Sequence, residues 1–120
     1  MAYLTKNEII ASEWKRLSED EKLAFGRIKE IDLILLHHSY GRLIRNKYFL
    51  WAADNPLTMK DYEEMIEDGC DVNPNHPDHV SMNIIKELHA MCEAANAIKR
   101  LVKIKLIVNK NGNWELVEND

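Results

Sequence analysis

The sequence predicts a mainly α-helical protein, in which four or five helices pack into one domain and a β-hairpin forms the C-terminal end. Two helix-start signatures near the N-terminus and helical spacing of apolar residues up to about residue 100 predict the helical part. Beyond that point apolar residues recur at every second position, which is the side-chain period of a β-strand. The 120 residues, 46% of them hydrophobic, suit one domain with a buried core. We therefore expect one domain over residues 1–120, with helices over about 5–100 and the hairpin over about 101–118.

The first two helices are predicted from their N-terminal caps. Thr5 and Glu8 have the spacing of a capping box, in which each side chain binds a backbone amide that the helix leaves unpaired. A helix from about Thr5 to Leu17 follows. Ser18 and Glu21 repeat the spacing and begin a second helix. The apolar faces of this region comprise Ile10, Trp14, Leu17, Ala24, Ile28, Ile31 and Leu35.

The segment from Glu30 to Trp51 is the most apolar part of the chain. Its composition predicts a long helix, or a helix kinked near Gly41, in the centre of the core. Asp54-Asn55-Pro56 then predicts a turn.

Two further helices are predicted after this turn. Thr58 and Asp61 have the positions of caps for a short helix, which we expect to end at Gly69 because glycine commonly follows a helix C-terminus. Residues 70–77 are predicted as a loop. The last long helix begins near Asp78, which is well placed to cap it. Its apolar stripe comprises Ser81, Ile84, Ile85, Leu88, Met91, Cys92, Ala95, Ile98 and Leu101.

The C-terminal hairpin is predicted from alternation around Asn111-Gly112, a strong hairpin-turn signal. A three-residue loop at 110–112 places Val108 opposite Trp114 and Leu106 opposite Leu116. A two-residue loop pairs Asn109 with Trp114 instead. We favour the first register because it collects the apolar residues on one face, which we expect to pack onto the helices. The tryptophans Trp14, Trp51 and Trp114 are all predicted to be buried.

Composition excludes several classes of protein. With 16 Lys and Arg against 20 Asp and Glu, the net charge of −4 argues against a free-standing protein that binds duplex DNA, since such a protein needs a basic face for the phosphates. The two cysteines, Cys70 and Cys92, predict neither a disulfide framework nor a zinc site, and Cys92 is expected in the core. No signal peptide or membrane span is apparent, so we expect a cytoplasmic protein. Motifs for nucleotides and for nucleophilic catalysis are absent, so no catalytic residue, cofactor or metal is assigned.

Two polar clusters could form a binding site. His37, Gly41 and Arg45 have helical spacing, and Gly41 leaves a notch where another helix or a ligand can approach the backbone. His76 and Asp78 flank Pro77 in the second cluster, where a metal pair of His76 with His79 would be a weak signal. The alternative for both clusters is a structural role, with satisfied side chains at a helix crossing and a helix cap.

Three motifs together are similar to those of a family of small uncharacterised bacterial and phage proteins, a domain of unknown function. The family pattern is H-x-x-L-G-x-x-I-R-N, then G-L-W, then H-P-D-x-x-S-x-x-I-I-x-x-L. The matching residues here are His37, Tyr40, Gly41, Ile44, Arg45, Asn46, Phe49-Leu50-Trp51, His76-Pro77-Asp78, Ser81, Ile84-Ile85 and Leu88. Tyr40 stands where the family has Leu, and Phe49 where it has Gly. The resemblance covers about residues 18–90. It implies that His37, Arg45, Asn46, His76 and Asp78 belong to one unit and meet in space.

Charge is unevenly distributed along the chain. Residues 61–78 contain seven acidic residues and no Lys or Arg: Asp61, Glu63, Glu64, Glu67, Asp68, Asp71 and Asp78. This is either a solvated acidic helix or a surface presented to a basic partner. With the resemblance, it predicts a non-enzymatic, phage-encoded protein that binds a host or bacterial protein, for example as an inhibitor of a defence or nucleic-acid-processing complex. The candidate partner-binding residues are Asp61, Glu63, Glu64, Glu67 and Asp68.

Two other functions remain open from the sequence. His37, Arg45, Asn46, His76 and Asp78 could form a ligand-binding, metal-binding or enzymatic site, in which Arg45 binds an anion and His37 acts as an acid or base. The last helix and the hairpin are also similar to the third helix and wing of a winged-helix domain. In that interpretation the phosphate contacts come from Lys99, Arg100, Lys103, Lys105 and Lys110.

Overall fold

The structure is a computed structural model that describes residues 3–59, 62–108 and 114–118, with side chains for residues 3–59 and 62–98. It confirms a mainly helical protein with a β-hairpin after the helices. The elements are α1 (Lys6–Arg16), α2 (Glu19–Gly26), a 3-10 helix (Glu30–Leu36), α3 (Tyr40–Lys47), β1 (Ile66–Glu67), β2 (Cys70–Asp71), α4 (Pro77–Lys103), β3 (Ile104–Val108) and β4 (Trp114–Glu118).

Both predicted capping boxes are present. The Glu8 amide donates to Thr5 Oγ1 at 3.2 Å, and the Thr5 amide donates to Glu8 Oε1 at 3.0 Å. Ser18 and Glu21 make the same reciprocal pair at 3.1 Å. These caps need only residues three apart in the chain, so a local pattern suffices to predict where α1 and α2 begin.

The prediction of one long helix over residues 30–51 is wrong, because the segment forms two separate helices. A 3-10 helix ends at Leu36 and α3 begins at Tyr40, so the break lies over residues 37–39 rather than near Gly41. Side chains take the carbonyl groups at this break: Arg45 Nη2 donates to the His37 carbonyl at 2.9 Å, and Ser39 Oγ donates to the Leu36 carbonyl at 3.4 Å. These bonds replace the backbone bonds of a continuous helix.

The predicted central position of this apolar segment is only partly correct. Its buried apolar residues include Leu33, Ile44 and Leu50. By contrast, Ile31, Ile34 and Leu35 are 81%, 63% and 75% exposed. The tight 3-10 turn places every third residue on one edge, so Leu33 faces the core while its apolar neighbours face outwards.

The predicted helix over residues 58–69 does not form. Residues 62–65 have no helical structure, and strands β1 and β2 pair in an antiparallel hairpin. Asp68 and Gly69, the residues that connect them, have φ of 50° and 78°, and positive φ at both positions is what a two-residue type I′ turn requires. Asp-Gly is the sequence signal for this turn, and Gly69 therefore closes a hairpin rather than a helix. Thr58 is not a cap, because its side chain is buried and its hydroxyl has no partner among the described residues.

Helix α4 is the central element of the core and packs against α1, α2, α3 and the 3-10 helix. The predicted stripe is confirmed for Ser81, Ile84, Ile85, Leu88 and Cys92, which are all buried. The prediction is wrong for Met91 and Ile98, which are 36% and 62% exposed. Ala95 of the stripe is half-buried, and the side chain of Leu101 lies outside the described ones. The fully buried part of the α4 face therefore ends at Cys92, and the helix continues to Lys103.

The C-terminal hairpin has the predicted register, with Val108 opposite Trp114 and Leu106 opposite Leu116. The predicted loop residues 110–112, the burial of Trp114 and the packing of the hairpin onto the helices lie outside the described residues and side chains. The helices that the structure describes include none with both the length and the apolar character needed to cross a membrane.

A candidate site at the start of the last helix

The structure brings together four of the five residues predicted to form a site. The turn before α3 supplies His37, α3 supplies Arg45, and the start of α4 supplies His76 and Asp78. Arg45 Nε lies 3.6 Å from Asp78 Oδ1, and His37 Nε2 lies 3.6 Å from Asp78 Oδ2. His76 Nδ1 lies 3.8 Å from Asp78 Oδ2. Asn46 is exposed on α3, and none of the described contacts joins it to this group, which we call the Asp78 cluster (His37, Arg45, His76, Asp78).

Arg45 is the most buried member of the Asp78 cluster, with 6% of its side chain exposed. Its Nη1 donates to Ser81 Oγ at 3.0 Å and its Nη2 donates to the His37 carbonyl at 2.9 Å. Ser81, which the sequence places on the apolar stripe of α4 and in the third motif, donates in turn to the Asp78 carbonyl at 3.0 Å. The guanidinium therefore connects three separate parts of the chain.

Gly41 makes room for that guanidinium. A Cβ atom at Gly41 would lie 2.9 Å from Arg45 Nη1 and 3.4 Å from the Leu36 carbonyl oxygen, which is closer than such contacts normally come. The notch predicted at this glycine exists, but the side chain of Arg45 itself occupies it.

His76 caps the N-terminus of α4, with Pro77 as the first residue of the helix. The Asp78 amide donates to His76 Nδ1 at 3.0 Å, so this ring nitrogen carries no proton and the imidazole acts as the capping acceptor. The prediction that Asp78 caps the helix is therefore wrong. Its carboxylate, 38% exposed, instead faces Arg45 and the two imidazoles.

The surroundings of His37 lower its pKa and so favour its neutral form. Burial lowers the pKa of His37, the Asp78 carboxylate raises it by a smaller amount, and the Arg45 guanidinium lowers it again. A neutral His37 is consistent with its Nδ1 lying 3.4 Å from Arg45 Nη1, where it can accept a hydrogen bond.

Aromatic residues surround the exposed edge of the cluster. The Trp51 and His76 rings meet edge to face with their centroids 5.7 Å apart, and the Tyr62 ring lies 6.5 Å from His76. The predicted burial of Trp51 is wrong, since it is 53% exposed. Trp14 is partly buried and packs against the core.

The chemistry open to the Asp78 cluster is limited because its members bind one another. The Arg45 guanidinium already faces a hydroxyl, a carbonyl and a carboxylate, so an anion would have to displace these partners. His79 Nε2 contacts the Asp71 carbonyl at 2.9 Å, and the His79 ring meets the His76 ring edge to face with the centroids 6.0 Å apart. Across the described residues, no group of three or more His, Cys, Asp or Glu side chains is arranged to hold a metal ion. The cluster fixes the break before α3 against the first turn of α4.

A second buried polar group centres on Glu13 of α1, whose side chain is fully buried. Its carboxylate accepts hydrogen bonds from four side chains: Tyr48 (2.5 Å), Tyr40 (2.7 Å), Lys47 (2.8 Å) and Arg16 (3.0 and 3.1 Å). Burial alone raises the pKa of Glu13, but these bonds outweigh it and lower the pKa to about 2. No motif in the sequence marks Glu13 as a functional or buried residue. The available signal was a charged residue on the helix face that carries Ile9, Ile10 and Leu17.

The acidic candidate residues lie on a segment that we call the acidic hairpin (residues 62–72). Glu63 and Glu64 precede β1, Glu67 ends β1, and Asp68 lies in the turn; all four are exposed. Asp61 lies outside the described residues. The same holds for the side chains of Lys99, Arg100, Lys103, Lys105 and Lys110, on which the winged-helix interpretation depends.

Comparison of the chain with protein-family models, with curated proteins and with solved structures finds no match. The resemblance to the bacterial and phage family therefore stays a prediction.

Proposed function

We propose that this protein is a non-enzymatic protein-binding module and that the acidic hairpin is its binding surface. The observation that carries the proposal is the exposure of apolar side chains among acidic ones. Met65 and Ile66 are 50% and 61% exposed, and Glu63, Glu64, Glu67 and Asp68 surround them in the chain. Apolar side chains within an exposed polar segment are typical of an interaction site.

The charge of the acidic hairpin indicates the kind of partner. Residues 62–72 contain no Lys or Arg, so the field that the segment projects has one sign. A basic surface with an apolar depression would complement it: the charges would accelerate and orient the encounter, and the apolar side chains would provide contact area. Proteins that bind nucleic acids have such basic surfaces. In its more specific form, the proposal is that a phage encodes this protein and that it inhibits a bacterial defence or nucleic-acid-processing complex.

Side-chain bonds hold the acidic hairpin in shape, which supports a binding role. The Asp71 carboxylate accepts from the Tyr62 hydroxyl and from the backbone amides of Met65 and Asn73, the latter two at 3.2 and 3.0 Å. The Val72 amide donates to the Met65 carbonyl at 2.8 Å. A segment ordered before binding loses less conformational entropy when it binds.

The two other predicted functions have less support. An anion site or enzymatic site in the Asp78 cluster would require Arg45 to release existing partners. Nucleic-acid binding through the C-terminal hairpin depends on side chains outside the described set.

The proposal is tested by charge reversal on the acidic hairpin. Immobilised wild-type chain and the triple variant Glu63→Lys, Glu64→Lys, Glu67→Lys are incubated with bacterial lysate, and the retained proteins are quantified by mass spectrometry. We expect one basic protein to be retained by the wild type and reduced at least roughly tenfold by the variant, since several charge contacts at about 0.5 to 1 kcal/mol each are reversed.

The matched control reverses exposed acids elsewhere, in the triple variant Asp20→Lys, Glu30→Lys, Asp32→Lys, and should retain the same protein at the wild-type level. A second variant, Met65→Ser with Ile66→Ser, should also lose the partner. Retention that is the same for the wild type and the acidic-hairpin variant contradicts the proposal.

A further inference from the structure

The tip of the acidic hairpin carries the one Asp-Gly pair of the sequence, Asp68-Gly69. The backbone nitrogen that follows an aspartate can attack the side-chain carboxyl carbon and close a five-membered succinimide ring. A side chain on the following residue hinders this attack, and glycine has none. The next two aspartates along the chain precede bulkier residues, Asp71 a valine and Asp78 a histidine. The sequence therefore favours the reaction at Asp68.

Both reacting groups are free in the part of the chain that the structure describes. The Asp68 carboxylate and the Gly69 amide take part in none of its hydrogen bonds or ion pairs. By contrast, the Asp71 carboxylate accepts from one hydroxyl and two amides, and the Asp78 carboxylate faces Arg45. Both turn residues are exposed, and a Cβ atom at Gly69 would meet no atom within 4 Å. Solvent therefore reaches the carboxyl group and the nitrogen.

The turn at the tip opens more easily than the base of the acidic hairpin. Strands β1 and β2 pair through two residues each, and the bonds of the Asp71 carboxylate lie at the base. The φ of Asp68 is 50°, a left-handed conformation that opening of the turn relieves. Exposed turns with few pairs open locally at a low free energy. The open turn lets the Gly69 nitrogen reach the carboxyl carbon of Asp68.

We infer that Asp68-Gly69 is a site of spontaneous isomerisation, at which Asp68 converts to isoaspartate. The Gly69 nitrogen bonds to the side-chain carboxyl carbon of Asp68, and the nitrogen's proton leaves with the carboxyl oxygen as one water molecule. A water molecule then adds to the backbone carbonyl carbon of Asp68 and breaks the bond from that carbon to the Gly69 nitrogen. The former backbone carbonyl becomes a free carboxylate, and the main chain runs through the side chain. Mass, charge and oxidation state are unchanged.

Isomerisation opens the acidic hairpin. Isoaspartate adds one carbon atom to the main chain, whereas a two-residue turn fixes the register of its strands by its length. The pairing of β1 with β2 is therefore lost, and Met65 and Ile66 leave the positions in which the paired strands hold them. The number of carboxylates stays the same, so the charge of the segment does not change. The loss of partner binding that follows rests on the proposed function.

Peptide mapping of the full chain tests the isomerisation. The folded protein is kept at physiological temperature and neutral pH for several weeks, and isoaspartate is located by mass spectrometry in the tryptic peptide of residues 61–86. Asp68 should convert at least roughly tenfold faster than Asp71 and Asp78 in the same peptide, because only its neighbour leaves the attacking nitrogen unhindered. Conversion of Asp68 at the rate of the other two overturns the inference.

Hydrogen exchange of the aged chain tests the opening of the acidic hairpin. Residues 66–72 of the aged wild type should exchange faster than in the fresh protein, and residues 81–92 of α4 should not change. Asp68→Glu is the matched control, since it keeps the charge and its ring would have six members, which closes far more slowly. Asp68→Gly removes the carboxyl group and suits the positive φ, so it replaces Asp68→Glu if that variant disturbs the turn. Unchanged exchange in a chain that carries isoaspartate overturns the inference, and so does faster exchange in the aged control.

Isomerisation and the proposed function are tested separately. Mapping and hydrogen exchange use the chain alone, without a partner. The isoaspartate form, separated by chromatography, should retain less of the basic protein than the fresh wild type in the capture experiment. Capture at the wild-type level by that form contradicts the acidic hairpin as the binding surface and leaves the isomerisation of Asp68 in place.

Discussion

Phe49 adopts a backbone conformation that its side chain disfavours. Its φ is 57°, in the left-handed region where a Cβ atom costs about 1 to 2 kcal/mol. The chain needs this conformation to end α3: the Leu50 amide turns back to donate to the Arg45 carbonyl at 2.9 Å, the bond of a Schellman motif. Glycine is the usual residue at this position, because it has no Cβ atom.

Replacing Phe49 isolates this conformational cost. We expect Phe49→Gly to be more stable than Phe49→Ala by about 1 kcal/mol, because both variants lose the ring and only glycine relieves the strain. The lost contact is the same in each, an edge-on packing against Tyr3 with ring centroids 6.4 Å apart. Urea denaturation monitored by circular dichroism measures the difference. Equal stability of the two variants would mean that α3 does not end as described.

At the scale of elements, α2 approaches α4 closely at Gly26. A Cβ atom there would lie 3.0 Å from the carbonyl carbon and oxygen of Cys92, and closer still to the Asn96 side-chain amide. Asn96 donates to the Leu23 carbonyl at 3.3 Å, so this amide is already committed. The two helices can pack at this distance only because residue 26 has no side chain.

Gly26→Ala should therefore destabilise the protein by about 1 to 3 kcal/mol, the usual cost of overpacking, because the backbone of α4 would have to move. Gly41→Ala provides the comparison. Its Cβ would meet the end of the Arg45 side chain, which can shift, and alanine recovers about 1 kcal/mol of helix propensity. Urea denaturation should rank Gly26→Ala as the less stable variant. The reverse order would contradict the close packing of α2 against α4.

The elements that the sequence predicts best are those that local interactions determine. The capping boxes of α1 and α2 join residues three apart, and the β3–β4 register follows from alternation. The helix predicted over residues 58–69 fails because Asp68 and Gly69 form the two-residue turn of a hairpin. It also fails because Asp71 and Asn73 bind the backbone of residues 63 and 65, which no helical pattern contains. The break before α3 depends on Arg45 and Ser39 in the same way.

For the molecule as a whole, the candidate site was predictable in part. His37, Arg45, His76 and Asp78 could be grouped from their motifs, and the structure brings them into contact. Asn46 follows Arg45 directly in the sequence, so the motif groups the two residues together. Adjacent residues of a helix lie on different faces, and Asn46 is therefore exposed while Arg45 is buried. No short motif contains the Glu13 network, because three of its donors, Tyr40, Lys47 and Tyr48, lie on α3 or directly after it, 27 to 35 residues along the chain from Glu13.

The Asp78 cluster and the Glu13 group both make the stability of the fold depend on pH, each in its own pH range. Burial lowers the pKa of His37 in the folded protein, so below about pH 6.5 the unfolded chain binds more protons and stability falls with decreasing pH. The pKa of Glu13 is lowered from 4.5 to about 2. Its contribution is therefore complete above about pH 5 and is lost towards pH 2. A change of this size corresponds to about 3 kcal/mol.

Two variants separate these ranges when the free energy of unfolding is measured by urea denaturation from about pH 2 to 8, the interval in which both groups titrate. His37→Gln should flatten the part of the curve just below about pH 6.5 and leave the range in which Glu13 titrates unchanged. Glu13→Gln should lose about 3 kcal/mol at neutral pH and flatten the lower range, with a residual slope from Glu8, Glu21 and Asp71, whose pKa values are also lowered. Glu87→Gln, in an exposed ion pair with Lys6, is the matched control and should change stability by less than about 1 kcal/mol. If Glu13→Gln kept the wild-type curve between pH 5 and 2, its carboxylate would not be the buried acceptor that holds α1 to α3, because that role requires the proton to be excluded.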